Sequence, residues 1–328
     1  MLKIRYNNKG YLAAAVLLLL HLIGCTQSND TLTGGQFPNS PGRDRGKAVK
    51  GVSAVPVKSE PEILLDKLRV PGSEIDMIRA RGYIVIAIIN EERPPFCFTR
   101  NGIVKGFDIF IAENIARHLG VKLVITRSEK THNGVIREVA TGNADVGLSK
   151  LSRTKDRAAV VQYSNPYVTA YHALLLNRVE IARRLRNNPG TMEADLIKNF
   201  TGKMGIIRAT SFVEFAKKEY FPKADIIEYD SWEECIDANV RGDTFATYRD
   251  DLEIKRLIRG RPEAMLTLKT FIIKDLNDDK AIAVKWNSTH LREWLNLFLE
   301  QMNLPITSEK LLDKYPEIFE KPAKGSKS

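Results

Sequence analysis

"GFDIFIAENIARHLGVKLVIT" (residues 106–126) decides the fold class, because it joins a helix directly to a strand. Its apolar residues recur at helical spacing, at Phe107, Ile111, Ile115 and Leu119. Gly120 is a natural helix C-cap, and residues 121–126 are predicted to form the strand that follows. Upstream, "YIVIAII" (83–89) is a continuous β-branched run, typical of a strand buried on both faces. Strand, helix and strand in this order predict an α/β fold.

The same alternation continues along the chain and predicts two units. Helices are predicted at 134–142, 210–220, 231–242 and 289–302, and strands at 144–149, 172–177, 202–207, 224–229, 245–250 and 280–286. A chain of 328 residues is long enough for two core-bearing units. We therefore expect two α/β lobes with a cleft between them.

The N-terminus has the pattern of a secretory signal peptide. Residues 1–24 carry Lys3, Arg5 and Lys9, then a short apolar run, and end in "LIG" before Cys25. The apolar run is too short to span a bilayer, which takes about 20 helical residues. "LIGC" resembles a bacterial lipobox, which implies removal of residues 1–24 and a diacylglycerol anchor on Cys25, with acyl chains such as palmitate. An ordinary signal peptide followed by a chance cysteine is the alternative.

A flexible tether is predicted after the signal. Residues 26–60 are rich in Gly, Ser, Pro, Asn and Thr and contain too few apolar residues to form a core. We therefore expect segment 25–74 to be a lipid-anchored tether followed by a short segment that precedes the first lobe.

Charge and motif content exclude several classes of function. Removal of the three signal-peptide cations lowers the formal net charge from +10 to +7, which favours acidic partners or membrane surfaces without specifying one. No arginine-rich block, aromatic platform or finger pattern indicates nucleic acid. No metal motif or glycine-rich phosphate loop is present, so we expect no metal and no cofactor. Cys97 and Cys235 are far apart in sequence, and no disulfide is expected between them.

Several stretches, in this order, resemble the extracellular solute-binding proteins of family 3, the amino-acid-binding periplasmic type. They are "PPFCF" (94–98), "GFDIFIAENIARHLGVKL" (106–123), "TGNADVGLSKLSRTKDRAAVVQYSNPY" (141–167) and, more weakly, "GIIRATS" (205–211). The resemblance implies a periplasmic-binding-protein-like fold of type II, in which two lobes are joined by a hinge of two crossover strands. It places the first lobe at 75–176 and 267–328 and the second lobe at 177–266.

The resemblance also implies a function and a location. Such a protein is a monomer at the periplasmic or extracytoplasmic face of the cell envelope, here anchored to the membrane through its lipid. It closes on a small carboxylate-bearing solute, generally an amino acid, and presents it to the permease of an ABC importer.

Five ligand-binding positions follow from the resemblance. Arg157 matches the arginine that grips the α-carboxylate of an amino acid, and Ser152 matches a hydroxyl that assists it. Thr210 and Ser211 match the helix N-terminus of the opposing lobe, while Asp250 matches the acid that takes the α-ammonium. The chemistry is sound, because a planar guanidinium binds a carboxylate in a bidentate manner.

The residues around Arg157 leave an alternative open. Thr154 is predicted to cap a helix, which places Arg157 in the first turn, where acidic residues are favoured. A bound anion would explain the cation there, but so would a surface ion pair with Asp156 or Asp145. The other matched positions could be plain helix caps or solvent-exposed side chains.

Three positions depart from the family pattern. Arg93 stands where an aromatic ring often precedes "PPF", His132 where a second ring is usual, and Lys150 where glycine is usual. We expect these three residues to make the mouth of the cavity basic. A basic mouth favours a ligand with a second anionic group, such as an acidic amino acid or a dicarboxylate; the alternative is that Arg93 and Lys150 point into solvent.

Besides solute transport, the sequence leaves two rival functions open: an enzyme and a ligand sensor. A few relatives of this family are dehydratases that act on small acids in the same cleft, which would need a nearby acid such as Glu91, Glu92 or Glu214. "SRTK" (152–155) matches the S-x-x-K motif of penicillin-recognising enzymes but lacks its partner motifs. The same pair of lobes also serves as a ligand sensor, so a regulatory lipoprotein is the third candidate.

Overall fold

The structure, a computed structural model, describes residue 68 and residues 70–320. The predicted signal peptide, Cys25 and most of the predicted tether lie outside the described residues. Within the described part, no helix is long and apolar enough to cross a membrane.

Helices and strands alternate along the chain, as predicted. The helices are α1 (Glu74–Arg81), α2 (Phe107–Leu119), α3 (His132–Thr141), α4 (Lys155–Ala158), α5 (Arg178–Asn187), α6 (Glu193–Lys198), α7 (Ser211–Glu214), α8 (Trp232–Arg241), α9 (Asp251–Gly260), α10 (Ala264–Thr267), α11 (Thr289–Gln301) and α12 (Ser308–Lys314). A π-helical segment, Phe215–Tyr220, continues α7, and a 3-10 turn covers Pro316–Phe319.

The strands form two main sheets and a small hairpin. They are β1 (Tyr83–Ala87), β2 (Phe98–Arg100), β3 (Ile103–Lys105), β4 (Lys122–Thr126), β5 (Val146–Gly147), β6 (Val161–Thr169), β7 (Tyr171–Asn177), β8 (Gly202–Ile207), β9 (Ala224–Tyr229), β10 (Ala246–Asp250), β11 (Leu268–Asn277), β12 (Lys280–Lys285) and β13 (Ile306–Thr307). The first sheet has the order β13-β6-β12-β5-β1-β4, the second has the order β11-β7-β10-β8-β9, and β2 pairs with β3. We call each main sheet with its covering helices a lobe.

The chain crosses between the lobes twice. β6 runs into β7 through Ala170, and β11 runs into β12 through Asp278 and Asp279. The Asp278 N–H donates to the Ala170 carbonyl at 2.8 Å, so the two crossovers are bonded to each other. The predicted two-lobed α/β fold with two crossover strands is confirmed. The limits predicted at 176/177 and 266/267 assign β7 and β11 to the first lobe, whereas strand pairing puts both in the second sheet.

Each sheet is buried on both faces, which explains the continuous apolar runs in the sequence. In the first lobe, Ile84 and Ile86 of β1 pack into one apolar cluster, while Ala87 belongs to a second cluster on the other side. In the second lobe, Leu174 and Leu175 of β7 point into different clusters in the same way. Two covered sheets hold the rims of the cleft at fixed positions.

Gly106 fixes where α2 begins. Its φ is +132°, which L side chains rarely adopt, and a Cβ there would lie 2.3 Å from the Phe96 carbonyl oxygen. At the other end Gly120 closes the helix in the left-handed conformation, with φ +70°, as predicted.

Two long strands, β6 and β11, were not predicted from the sequence. β6 contains Pro166, which usually argues against a central strand. The structure accommodates it because the pairing of β6 with β12 is irregular next to Ala281, the residue opposite Pro166. β11 was not predicted because its sequence, "LKTFIIKDLN", is only partly apolar, and most of it is only half-buried or exposed.

Candidate functional site

A cavity of about 20 Å³ lies between the lobes and is bordered by every predicted ligand-binding position. Its walls are formed by Arg93, His132, Lys150, Ser152, Arg157, Thr210, Ser211, Phe212, Arg249, Asp250 and Lys280. That volume holds about one water molecule and is far below the roughly 300–1,000 Å³ usual for small-molecule sites, so a solute can enter only when the two lobes move apart. All eight residues proposed from sequence to bind ligand therefore border one cavity.

Arg157 is buried and held by local bonds. The Thr154 hydroxyl accepts from the Arg157 N–H at 3.3 Å, so the predicted cap of α4 is confirmed. The guanidinium donates through Nε to the Asn133 side-chain oxygen at 2.9 Å and through Nη1 to the Ser152 carbonyl at 3.1 Å. These bonds orient the side chain but leave its charge without a counter-ion.

The surface ion pair considered for Arg157 is not formed. Asp156 accepts instead from Lys218 at 2.6 Å, and Asp145 pairs with Arg81. Among the described residues, no carboxylate lies within 4.0 Å of the Arg157 guanidinium, which is 6% exposed. A buried cation without an acidic partner is costly, so the arrangement favours an anion from outside.

Ser152 is engaged by a lysine that sequence reasoning missed. The Lys280 ammonium donates to Ser152 Oγ at 3.0 Å and pairs with Asp278. Lys280 is 1% exposed and opens strand β12 at the crossover. Its only signal in the sequence is its place at the start of a predicted strand, where a lysine usually faces solvent.

Asp250 is already paired with a lysine of the other lobe. Its Oδ1 caps α9 by accepting from the Glu253 N–H at 3.1 Å, and its Oδ2 lies 3.1 Å from Lys150 Nζ. Lys150 Nζ also donates to Glu253 Oε1 at 2.6 Å. The carboxylate expected to take a ligand ammonium therefore already faces an ammonium of the chain.

Lys150 does not contribute to a basic mouth and does not point into solvent. It is 5% exposed, and its backbone is left-handed with φ +49°, which explains why glycine suits this position. Both expectations from sequence are therefore corrected: the side chain turns inward because Asp250 and Glu253 offer it two buried carboxylates.

His132 and Arg93 also differ from the expected basic mouth. Burial, followed by the nearby cations Arg157 and Arg93, lowers the pKa of His132 well below its usual value, so the imidazole is neutral at pH 7. Arg93 pairs with Glu91 and is half-buried, while its buried Nε has no hydrogen-bond partner. Arg93 is the one residue of the three that keeps a charged head near the opening.

Arg249 is a further cation in the cavity that was not predicted. Its side chain is 7% exposed, and neither Nε nor Nη1 has a hydrogen-bond partner. The nearest carboxylate oxygens belong to Asp250, 4.0 Å from Nε, and Glu253, 3.9 Å from Nη2. In the sequence it stands one residue before Asp250 at the end of β10, and only this position next to a predicted site residue could have indicated it.

The opposing helix start borders the same cavity. Thr210 caps α7 with an extended backbone, and its hydroxyl donates to the Ile207 carbonyl at 2.7 Å. Ser211 is buried beside it. The Thr210 hydroxyl is thus occupied, and the Val213 N–H of the first turn donates to the Thr210 carbonyl at 3.2 Å.

The three glutamates considered for an enzyme lie elsewhere. Glu91, Glu92 and Glu214 are absent from the cavity wall, where Asp250 supplies the carboxylate among the described residues. Glu91 and Glu92 instead line an adjoining cavity of about 230 Å³. That neighbouring cavity is also lined by Asp230 and Glu233, together with the guanidiniums of Arg93, Arg249 and Arg256.

The comparisons with known proteins agree with the fold. The profile of bacterial extracellular solute-binding proteins, family 3, matches residues 85–318, most of the chain. The chain belongs to this family.

Relatives of this family 3 protein include both transport proteins and an enzyme. The ABC transporter glutamine-binding protein GlnH of Bacillus subtilis (strain 168) is 24% identical over 222 residues, 67% of this chain and 73% of GlnH. Cyclohexadienyl dehydratase of Pseudomonas aeruginosa is 28% identical over 101 residues, 31% of this chain and 37% of the enzyme. The crystal structure of the ancestral amino acid-binding protein AncCDT-1, a precursor of cyclohexadienyl dehydratase, has a TM-score of 0.54 and 26% identity, covering 76% of this chain and 100% of that one. The family is mainly one of extracytoplasmic solute-binding proteins.

Proposed function

We propose that this protein is a lipid-anchored, extracytoplasmic solute-binding protein that captures a small carboxylate-bearing solute, generally an amino acid, for an ABC importer. The observation that carries the proposal is Arg157, a buried guanidinium without an acidic partner in the wall of a cavity between two lobes. Family membership and the similarity to GlnH, an ABC transporter glutamine-binding protein, support the partnership with a permease.

Closure explains how such a site would work. Arg157 and Ser152 lie in the first lobe, whereas Ser211 and Arg249 lie in the second, so a solute gains all contacts only when both lobes surround it. Binding would therefore shift a hinge equilibrium at the two crossovers toward the closed form. A permease that recognises this form would take up only loaded protein.

A thermal-shift screen of amino acids and dicarboxylates on the full chain tests the proposal. A ligand of the site raises the melting temperature of the wild type and loses this effect in Arg157→Ala. Arg153→Ala is the matched control, because it removes the same charge from an exposed neighbour of the same segment. A hit that survives Arg157→Ala refutes the carboxylate site, and turnover of a bound acid by the pure protein would make it an enzyme.

The lipid anchor needs its own test, because Cys25 lies outside the described residues. Cells expressing the full chain are expected to incorporate labelled palmitate into the protein, and Cys25→Ser is expected to abolish the label. Equal labelling of both forms would refute the anchor.

A further inference from the structure

The ammonium-binding half of the cavity is filled from within the chain. Lys150 reaches from the first lobe to two carboxylates of the second, with Nζ at 3.1 Å from Asp250 Oδ2 and 2.6 Å from Glu253 Oε1. All three side chains are at most 4% exposed. The ammonium therefore occupies, without any ligand, the place where a ligand amine would find its counter-charge.

Both carboxylates have further cationic neighbours. Glu253 Oε2 accepts from Arg256 at 2.9 and 2.8 Å, and Asp250 Oδ2 lies 3.9 Å from Lys280. Burial alone would raise the pKa of Glu253, but Arg256, Lys150 and Arg249 hold it well below its usual range. A second ammonium here would have to share these two carboxylates with the lysine and arginine groups that already pair with them.

Two guanidiniums that border the same cavity, by contrast, lack a hydrogen-bonded carboxylate partner in the described part of the chain. Arg157 has no carboxylate within 4.0 Å among the described residues, and Arg249 has none within hydrogen-bond distance, with two of its buried nitrogens unpartnered. Arg157 belongs to the first lobe and Arg249 to the second. The cavity thus offers, from each side, one guanidinium that has no hydrogen-bonded carboxylate within the part of the chain that the structure describes.

The side chains that line the cavity carry an excess of positive charge. Five cationic side chains, Arg93, Lys150, Arg157, Arg249 and Lys280, line the cavity with a single carboxylate, that of Asp250. Glu253 and Asp278 lie just behind the wall, against Lys150 and Lys280. The excess positive charge is carried by the arginines, and buried guanidiniums are stabilised by carboxylates that bind them in a bidentate manner.

We infer that the cavity binds an amine-free dianion, such as a short dicarboxylate, with one carboxylate on Arg157 and the other on Arg249. This inference rests on the proposed function and narrows its ligand class. An amino acid would have to place its α-ammonium beside Lys150 or displace that lysine from two buried carboxylates, and like charges at such a distance repel.

Pairs of isosteric probes test the inference on the wild-type full chain. Succinate is compared with aspartate and glutarate with glutamate by isothermal titration calorimetry, since each pair differs only in the amine. The amine-free member is expected to bind at least about tenfold more tightly, because ammonium burial without a free counter-charge costs more than the roughly 1.4 kcal/mol that corresponds to tenfold. Equal or tighter binding of aspartate or glutamate overturns the inference.

Two variants separate the roles of the residues. Lys150→Met frees Asp250 and is expected to reverse the preference within each pair. Arg249→Gln is expected to weaken glutarate at least about tenfold while butyrate, which has one carboxylate, is unaffected. Lys155→Met, which removes an exposed lysine from the same lobe, is the control for loss of charge. If Lys150→Met does not fold, the wild-type comparison alone decides.

The outcomes also distinguish this inference from the proposed function. If glutamate binds preferentially and Arg157→Gln abolishes its binding, the proposed function stands and the amine-free ligand is refuted. If none of the five probes binds, the amine-free dianion is refuted, and the thermal-shift screen of the other amino acids decides the proposed function. If Arg157→Gln leaves the binding of the probes unchanged, both are refuted. Trp232 provides a second readout, because its ring lies 5.6 Å from the Arg249 guanidinium and its fluorescence should change when a ligand binds Arg249.

Discussion

Replacement of Lys150 by methionine should destabilise the protein far more than replacement of other lysines that bridge the lobes. Lys150 pairs with Asp250 and Glu253 at 3.1 and 2.6 Å in a fully buried setting. Removing one partner of a buried ion pair costs about 3–5 kcal/mol, because the remaining charge stays buried. Asp250 keeps Lys280 at 3.9 Å and Glu253 keeps Arg256 at 2.8 Å, which places the expected loss near the lower end, about 3 kcal/mol.

The variant Lys155→Met is the control for Lys150→Met. Lys155 also bridges the lobes, at 3.1 Å from Glu219, but its side chain is 84% exposed, so Lys155→Met should leave the unfolding midpoint nearly unchanged. Methionine keeps the left-handed backbone strain at position 150 constant, whereas glycine would relieve it. Urea denaturation at pH 7.5 measures both variants, and equal midpoints would refute the reasoning from burial.

Three further predictions concern the lobes themselves. Burial raises the pKa of Asp108 to about 7, so its contribution to stability is complete below about pH 4 and is lost as the pH rises through 7. Asp108→Asn should remove this dependence and raise the free energy of unfolding at pH 8 by at most about 4 kcal/mol; an unchanged pH profile in urea titrations would contradict it. Gly106→Ala should abolish folding or lower the melting temperature strongly, since its Cβ would lie 2.3 Å from the Phe96 carbonyl oxygen, and a wild-type melting curve would disprove the close approach. Burial raises the pKa of Cys97 to about 11 and of Cys235 to about 12, so a thiol reagent at pH 8 should modify both only after denaturation; rapid modification of the native protein would count against it.

The sequence predicted most of the two-lobed scaffold, because its signals are local. The helix at 106–120 is fixed by apolar spacing and by a C-terminal glycine, and the structure has it at Phe107–Leu119. The strand at 202–207 is predicted by its apolar run and found with the same ends. β6 and β11 were missed because a proline and a mixed pattern hide strands that tertiary pairing completes.

The candidate site was only partly predictable, because its chemistry depends on which side chains meet across the cleft. The position of Arg157 follows from local motifs and from resemblance, and the cavity includes it. The pairing of Lys150 with Asp250 joins residues one hundred positions apart on different lobes, which no local pattern encodes. Arg249 was missed for the same reason. It stands one residue before Asp250 in the sequence, but only the structure shows that it is buried and that two of its nitrogens lack a hydrogen-bond partner among the described residues.

The central claim is that Arg157 binds a carboxylate supplied from outside the chain. Its most direct test is isothermal titration of the best ligand from the thermal-shift screen into the wild-type full chain and into Arg157→Gln. We predict saturable one-to-one binding by the wild type and at least about a tenfold loss of affinity in Arg157→Gln, the cost of a lost charged hydrogen bond. Equal affinity of the two proteins for the same carboxylate would contradict the claim.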